Sequence, residues 1–442
     1  MNNSIAQNHS LFSLLGFAFP NMLMMLVLSL YTIVDGTFVS RYVGTTALSA
    51  VNMVYPTSSV QMAVAIMIAT GGNAIMARQM GENKYDKARE NFSFLILTEL
   101  AIGILIAVFG NLFIDNIVFA LGATEQQFNL CKTYAGILFK FAPCFFLQTA
   151  FQTFFVTAGK PTVGLTVTII SGVINIFLDY VFIVPLQMGI AGAAIATGIG
   201  YSFAAVVGLF YFTFVRKNHL HFVKPKAEQK LLRRTCANGS SEMVTNLANA
   251  VTTFLFNYMI LKFYGEDGVA AITIILYLQY VFTALIFGFS NGIAPIISFK
   301  YGEQNETQLK KLFQYGIVIV LFCSAIMFGI SQLFIGNVLT VFTTAESNVY
   351  QIALYGFRIY AIAFLFAGFN IFASAWFTAL SNGKISAIIS LTRTFLFLAG
   401  AIVLLPIVLK ALGVWLAVPC AEILGILVSI YCLRKYKSQY HY

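Results

Sequence analysis

Residues 169–201 read IISGVINIFLDYVFIVPLQMGIAGAAIATGIGY, and this stretch decides the fold. Asn175 and Asp179 lie four residues apart in an apolar segment long enough to cross a bilayer, so both fall on one helical face. An ionisable group inside a membrane helix is costly unless it is paired, protonated or hydrated, and it commonly marks an ion or substrate path. The alternative is an Asp179 that anchors the helix at the interface, although an apolar run still separates it from the loop at Pro185.

The composition is that of a membrane protein. The chain has 442 residues, is 59% hydrophobic and 10% charged, and has a mean hydropathy of +0.84. A soluble domain does not need that much apolar surface, so we predict a polytopic membrane protein. The six cysteines form no CxxC pair and are interpreted as small core residues. No Lys or Arg precedes the first apolar run, so the first helix is expected to stay in the mature protein.

Hydropathy predicts twelve spans between residues 12 and 433, each needing about 20 residues. Most of the 26 Lys and Arg residues fall in alternate loops, and the richest of these loops is 216–236. The positive-inside rule then places both termini in the cytoplasm. The net charge of +10 is therefore a matter of topology, and no nucleic-acid partner is expected.

The chain repeats itself. Gly81-Glu82-Asn83 has a counterpart in Gly302-Glu303-Gln304, at an offset of 221, and Gly159-Lys160 matches Gly383-Lys384 at an offset of 224. Chance matches between frequent glycines are the alternative, but the matches keep a constant order. We predict an N-terminal lobe (1–215, six spans), a basic cytoplasmic linker (216–236) and a C-terminal lobe (237–442, six spans). Because six is even, the two halves have the same orientation, as in transporters with parallel repeats.

The fold class that follows is an all-α polytopic membrane protein. Its twelve transmembrane helices form two six-helix lobes, related by a pseudo-two-fold axis along the membrane normal.

The first span carries a proline and a carboxylate. Asp35 lies 15 residues after Pro20, about 22 Å along a helix. Pro20 removes a backbone donor and can act as a hinge. A helix that moves with its carboxylate is one interpretation, and an Asp35 that simply ends the helix beside Gly36 is the other. Thr197, on span 6, can offer its hydroxyl to a neighbouring carboxylate, although a membrane threonine often bonds its own backbone.

Further charged residues fall within the predicted spans: Glu99, Lys140, Glu242, Arg358, Arg393 and Glu422. We take Lys140, Glu242, Arg358 and Glu422 as secondary polar sites. Glu422 is preferred to Glu99, because Glu99 is only nine residues past Glu90 and is expected near the cytoplasmic surface. Glu242 follows the basic loop, so an interfacial role fits it equally well. Lys140 and Arg358 occupy similar places in the two halves and can snorkel or pair with acids.

The chain also has 44 Phe, 21 Tyr and 13 Met residues. Many of these side chains will face lipid or neighbouring helices. A second interpretation is an adaptable aromatic cavity for amphipathic cations, whose charge is attracted to ring faces.

Some chemistry is disfavoured. All four histidines (His9, His219, His221 and His441) lie outside the predicted spans, and the sequence has no HExxH motif. Asn382-Gly383-Lys384-Ile385 lacks the earlier glycine of a phosphate-binding loop. The sequence therefore predicts no metal cofactor, no other cofactor and no ATP site, so transport would be driven by ions.

These features together resemble the multidrug and toxic compound extrusion (MATE) family. The resemblance rests on the two six-span halves, Pro20 and Asp35 on span 1, the Gly-Glu-Asn and Gly-Glu-Gln loops, Thr157-Ala-Gly-Lys160, and Asn175-x3-Asp179. It covers about residues 10–435 and is similar to the DinF-like branch, within it to the MepA-like group.

The resemblance implies cation-coupled antiport, in which H+ or Na+ enters while an amphipathic, often cationic drug leaves. It implies a cation-coupling site made by Asp35, Asn175, Asp179 and Thr197, which could bind Na+ as a metal ion. It also implies a hinge at Pro20. The family's other branch uses an acid on the tenth helix, where span 10 here offers only Arg358. The resemblance also implies a monomer, small-molecule drug substrates, contact with membrane lipid and a place in the bacterial inner (plasma) membrane.

Three alternatives stay open. The first is a flippase for a lipid-linked saccharide, whose pyrophosphate would need basic residues such as Lys140, Arg358 and Arg393. The second is a membrane-embedded enzyme, which the positions of the histidines disfavour. The third is a receptor or scaffold, for which the sequence offers no signalling domain.

Overall fold

The computed structural model describes residues 4–216, 219–226, 228–340 and 342–442. Met1, Asn2 and Asn3 of the predicted N-terminal lobe, and Lys217, Asn218 and Ala227 of the predicted linker, lie outside the described residues. The described chain is almost entirely helical, as the hydropathy predicts. The boundaries at residues 215 and 237 stay predictions.

The first half of the chain supplies six long helical elements. They are α1 (Leu11–Phe38, continued by a π-helical turn Val39–Val43), α2 (Thr45–Gly81), α3 (Tyr85–Leu112), α4 (Glu125–Lys140 and Ala142–Thr157), α5 (Pro161–Ile183) and α6 (Gly189–Phe214). A short helix, Ile114–Ala120, connects α3 to α4.

The second half repeats this order. Its first two elements, α7 and α8, are the two parts of the helix Gln229–Gly302 on either side of a break at Gly265. They are followed by α9 (Glu306–Leu339), α10 (Asn348–Tyr360, Ala361–Ala363 and Phe364–Ala379), α11 (Gly383–Leu391, Thr392–Ala399 and Gly400–Leu409) and α12 (Ala411–Tyr440).

Twelve membrane spans are consistent with these helices. Within the described ranges, ten helices are long and apolar enough to cross a bilayer, and the two parts of α4, bent by 55°, add an eleventh. The helix Gln229–Gly302 is interrupted at Gly265, where φ is +63°. Gly44, with φ of +119°, occupies the corresponding place between α1 and α2. Both positions need a residue without a β-carbon, because positive φ is strained for other residues.

The structure corrects one part of the repeat. At the end of α4, Gly159 bonds to Val156 and Lys160 bonds to Phe155, and the same pattern recurs in Ser381 and Asn382 after α10. The structural counterpart of Gly159 is therefore Ser381, and the match of Gly159 to Gly383 was two residues out of register. Matching identical residues in the sequence can misalign the two halves by a few positions. The hydrogen bonds at the helix ends show directly which positions are equivalent.

The two halves meet closely at one end of the molecule, which we call the basic end. It carries the loops at residues 82–84, 158–160, 303–305 and 380–382 together with residues 4–10. There a β-carbon on Gly81 would stand 2.1 Å from the Phe299 carbonyl oxygen, and one on Gly302 would stand 2.2 Å from that of Arg78. The backbones of α2 and α8 thus touch in a nearly symmetric way, which requires both glycines of the repeated loops.

Candidate functional site

The polar face of α5 points into the first half of the molecule. Ser171, Asn175 and Asp179 follow one another at four-residue intervals and are all buried, with Asn175 and Asp179 at most 1% exposed. The neighbouring positions Val173, Phe177 and Tyr180 are exposed, as expected of a helix face that meets lipid. The helix therefore turns its amide and its carboxylate away from lipid.

Helix α1 brings a second carboxyl group to this place. Asp35 lies near the end of α1, opposite Asp179, and the two carboxyl groups interact directly. Tyr31, one turn earlier on α1, interacts with the Thr197 hydroxyl. The phenols of Tyr134 and Tyr201 lie within electrostatic reach of the acid pair.

Helix α6 closes the site from the other side. The Ser171 hydroxyl donates to the Gly200 carbonyl oxygen at 2.6 Å, and a β-carbon at Gly200 would stand 3.4 Å from the Asn175 side chain. This close approach brings the Thr197 hydroxyl within 3.4 Å of the Asn175 amide nitrogen. Small residues in α6 are thus what allow α5 and α6 to share the site.

We call Asp35, Asn175, Asp179 and Thr197 the acid cluster, and the structure brings all four together. Within the described part of the chain, four buried oxygens of this cluster accept no hydrogen bond: Oδ1 of Asp35, Oδ1 of Asn175, and Oδ1 and Oδ2 of Asp179. No Lys or Arg is paired with either aspartate in those ranges. Oxygen-only ligand sets suit hard cations, and a proton on either carboxyl supplies the missing donor. The residues therefore fit H+ or Na+.

Pro20 lies inside α1, where the halves touch. The side-chain amide of its neighbour Asn21 donates to the Gly288 carbonyl oxygen of α8 at 2.6 Å. A β-carbon at Gly288 would stand 2.5 Å from the Met22 Cα. The predicted hinge therefore adjoins the contact between the halves, on the same helix as Asp35.

The second half holds a different buried polar group. The Asn370 amide donates to Glu422 Oε2 at 2.7 Å, and Arg393 Nε lies 3.8 Å from Glu422 Oε1. Glu242 is buried and lies within electrostatic reach of Arg393. Two of the predicted secondary sites, Glu242 and Glu422, are thus neighbours around one arginine. The sequence analysis missed Asn370, which had no charge to draw attention to it.

The other two secondary sites lie elsewhere. Lys140 and Arg358 are exposed, and each comes directly before a break in its helix, at Phe141 in α4 and at residues 361–363 in α10. Their similar placement in the two halves is as the sequence suggested. The structure does not bring either of them to the acid cluster or to Arg393.

The side chain of Glu99 is fully buried inside the first half, which the sequence analysis did not predict. Its expected place near the cytoplasmic surface stays a prediction. Four residues later on α3, Gly103 packs against Pro143 of α4, which turns this face of α3 into the core. Among the described residues, neither carboxyl oxygen of Glu99 has a hydrogen-bond partner.

Three tyrosines from the two halves form an aromatic group. Tyr55 on α2 lies within electrostatic reach of Tyr277 and Tyr280 on α8, and Tyr280 also contacts Ser29 on α1. Each of the three rings is more than two-fifths exposed. Exposed aromatic rings that face one another across two halves can hold an amphipathic cation.

The fold and this site define a multi-span membrane transporter with a buried polar site in one half. The profile of the MatE family matches residues 20–181 and 243–403, one match in each half of the chain. The chain belongs to the MatE family.

Similar proteins of known name and structure extend this result. The chain is 24% identical over 384 residues to the multidrug export protein MepA of Staphylococcus haemolyticus, covering 86% of this chain and 84% of that one. It superposes on a MATE structure in complex with MaL6 with a TM-score of 0.93 at 21% identity, covering 99% of both chains. An outward-facing multidrug resistance MATE family transporter gives 0.92 at 21% identity, covering 98% and 97%.

Proposed function

We propose that this protein exports amphipathic, often cationic compounds in exchange for H+ or Na+. The observation that carries the proposal is the acid cluster, whose four buried oxygens have no hydrogen-bond partner and whose two aspartates form no ion pair with Lys or Arg among the described residues. The chain is similar to a multidrug export protein over 86% of its length, which supports export as the direction of transport. The basic end then faces the cytoplasm of a bacterial cell, by the positive-inside rule.

The acid cluster holds the coupling ion. Asp35 and Asp179 interact directly in a buried site, where two adjacent carboxylates cannot both keep a negative charge cheaply, so the pair exchanges protons as one unit. A proton satisfies one carboxyl oxygen. Na+ can instead be held by oxygens of Asp35, Asn175, Asp179 and Thr197. Either ion removes the repulsion between α1 and α5.

Ion binding changes the relation between the halves through α1. This helix carries Asp35 near one end and touches α8 beside Pro20. A change of charge at Asp35 therefore shifts a helix that bends at Pro20, and the two halves rock between two openings. Compounds bind between the halves at Tyr55, Tyr277 and Tyr280.

The driving force is adequate. One pH unit supplies about 1.4 kcal/mol per proton. A membrane potential adds about 2.3 kcal/mol per charge for each 100 mV. For a neutral drug exchanged one for one, the two terms together sustain a gradient of roughly a hundredfold or greater. For a singly cationic drug the exchange moves no net charge, so each pH unit sustains a gradient of about tenfold.

The experiment is ethidium efflux from cells or proteoliposomes, with a pH gradient and a Na+ gradient imposed separately. We expect one gradient to drive efflux by the wild type, and Asp179→Asn to abolish it. Asp86→Asn is the matched control, because Asp86 is exposed and pairs only with Arg89 among its described neighbours. Full efflux by Asp179→Asn protein at normal abundance would overturn the proposed coupling site.

Failure of ethidium efflux under both gradients, with folded protein, would favour the flippase for a lipid-linked saccharide. The structure gives that alternative limited support. Of its three candidate pyrophosphate ligands, Arg393 is partly buried and paired with Glu422, whereas Lys140 and Arg358 are exposed.

A further inference from the structure

A cavity of about 700 Å³ lies at the basic end, between the two halves of the molecule. Its wall combines the end of α2 and the beginning of α3 from the first half with the beginnings of α7 and α11 from the second half. Five cationic side chains line it: Arg78, Lys84, Lys87, Arg234 and Lys384. Glu82 is the acidic residue in this lining. A cavity with this balance of charge attracts anions.

The cations are only partly neutralised. Glu82 accepts from Arg78 Nε at 2.9 Å and from Lys84 Nζ at 2.7 Å, so one carboxylate serves two cations. The Lys87 ammonium stands 3.9 Å from Glu228. Across the part of the chain that the structure describes, Arg234 and Lys384 have no ion pair. Positive charge therefore remains on both walls.

Polar groups of the second half also meet the cavity. The Ser381 hydroxyl is buried and, among the described residues, lacks a hydrogen-bond partner. Gly383 and Lys384 line the cavity at the first turn of α11, where backbone N–H groups and the helix dipole favour an anion. A hydroxyl donor, a helix N-terminus and two uncompensated cations thus converge from one half.

The cavity depends on how the halves sit against each other. Arg78, Lys84 and Lys87 belong to the first half, whereas Arg234 and Lys384 belong to the second. The close backbone contacts at Gly81 and Gly302 bring these two groups together. Without an anion, closing the basic end drives like charges toward each other.

We propose that this cavity binds a phosphate-bearing anion, which ties the two halves together at the basic end. Phosphate oxygens accept charge-assisted hydrogen bonds from arginine and lysine on both walls at once. Two sources share this chemistry: the headgroup of an anionic phospholipid and a soluble phosphate. The inference does not depend on what the protein exports, because it concerns a different site and a different ligand.

The test measures thermal stability of the purified full-length protein in neutral detergent and in nanodiscs. The probes are inorganic phosphate and pyrophosphate in detergent, and phosphatidylglycerol against phosphatidylcholine in nanodiscs, with potassium chloride at equal ionic strength as the salt control. We expect phosphate or phosphatidylglycerol to raise the melting temperature in a saturable way and chloride not to. A response to phosphates identifies a soluble anion, and a response to phosphatidylglycerol alone identifies lipid.

Three variants make the test specific. Arg234→Gln with Lys384→Gln removes two cations without breaking an ion pair, and should weaken the apparent affinity at least about tenfold. Glu82→Gln releases Arg78 and Lys84 and should strengthen it. Lys310→Gln with Lys311→Gln removes two basic residues of the same end outside the cavity, and should leave the affinity as in the wild type.

The proposal is overturned if no phosphate-bearing probe stabilises the wild type. It is equally overturned if chloride stabilises as well as phosphate, or if both double variants respond alike. Because drug efflux is not part of the readout, failure here leaves the export proposal standing, and failure of export leaves this result standing.

Discussion

Two buried glutamates show how the neighbours of a residue decide what its charge does. Glu422 has an amide and an arginine beside it, whereas Glu99 has no hydrogen-bond partner among the described residues. A buried carboxylate without a partner is costly, so we expect Glu99 to be the neutral acid. Glu422 by contrast balances Arg393.

The same substitution should therefore have opposite effects at the two positions. Glu99→Gln replaces a neutral acid by a neutral amide of the same shape, and we expect the melting temperature to stay within a few degrees or to rise. Glu422→Gln removes the carboxylate that pairs with Arg393 and leaves Glu242 as its remaining acidic neighbour, so we expect a clear drop in the melting temperature. Thermal unfolding in detergent measures both.

A double variant is the control for this pair. If Arg393 is the reason for the loss, Glu422→Gln combined with Arg393→Gln should recover part of the stability. Equal destabilisation by Glu99→Gln and Glu422→Gln would contradict this account of the two sites.

At this scale the family resemblance implied the set of residues in the acid cluster, and the sequence did not predict that Glu99 is buried. The four-residue spacing of Asn175 and Asp179 puts both on one helix face regardless of the surroundings. The depth of Glu99 had to be judged from its distance to Glu90, and that distance does not tell which face of α3 meets the core. The contact between Gly103 and Pro143, which the sequence does not show, decides it.

At the scale of elements, the repeated Gly-Glu loops bind the two halves to each other. Gly81→Ala and Gly302→Ala would each place a β-carbon about 2 Å from a carbonyl oxygen of the opposite half. We expect each variant to lower the melting temperature by several degrees. Gly329→Ala is the matched control, since a β-carbon there meets no described atom within 4 Å. Alanine should favour that helix by up to about 1 kcal/mol.

The same two variants also test whether the contacts at Gly81 and Gly302 are equivalent. Both glycines contact the opposite half, so a loss confined to Gly81→Ala would show that the two contacts are not equivalent. Stability of both variants equal to that of Gly329→Ala would contradict a tight contact at the basic end.

Residues 4–10 form a strap across the basic end. Ser4 donates to the Gly159 carbonyl oxygen at 2.8 Å on the first half, and Lys300 donates to the Ala6 carbonyl oxygen at 2.7 Å on the second. His9 lies within the strap, 3.0 Å from both the Ser13 hydroxyl and the Ser4 carbonyl oxygen. Burial lowers the pKa of His9 from its usual value, so the strap is built around a neutral ring.

The strap should therefore loosen in acid. A histidine whose pKa is lowered by folding stabilises the folded form fully above its unfolded pKa of about 6.5, and this contribution is lost as the pH falls below that value. We expect the rate of hydrogen exchange in residues 4–10, corrected for its intrinsic pH dependence, to rise as the pH is lowered from 7.5 to 5.5. In His9→Gln protein the exchange, corrected for its intrinsic pH dependence, should not change. An identical acceleration in that variant would rule out His9 as the cause.

Helix breaks were the elements hardest to predict. Gly265 could be assigned to a turn because glycine tolerates positive φ. The bend of α4 at Phe141 precedes Pro143, which has no N–H to bond to the preceding turn and therefore accounts for the break. The π-helical segment of α11 contains no proline or glycine that requires it. Hydropathy accordingly predicted twelve spans but did not show that the fourth of them is bent.

At the scale of the whole molecule, the duplication is structural but the site is not duplicated. At the structural offset of 222 residues, Asn175 and Asp179 correspond to Phe397 and Ala401. The halves therefore have different chemistry on a shared frame: an acid cluster without a paired cation in the first, and two glutamates around Arg393 in the second. One half that binds the coupling ion is enough to couple transport to the ion gradient, provided that the other half moves with it as a rigid body.

This asymmetry predicts one ion-coupling site per protein. In proteoliposomes, addition of ethidium should displace the coupling ion from the wild type, and Asp35→Asn and Asp179→Asn should both abolish the displacement. Glu242→Gln should retain the displacement of the ion, because Glu242 lies beside Arg393 in the second half, whereas the acid cluster lies in the first half. Proton release, followed with a pH dye, and Na+ release, followed with a radioactive tracer, measure the two ions separately. If Glu242→Gln abolished ion release as completely as Asp179→Asn, with its melting temperature unchanged, both halves would have to bind the coupling ion. The rocking of the halves would then need charge changes on either side of the central contact.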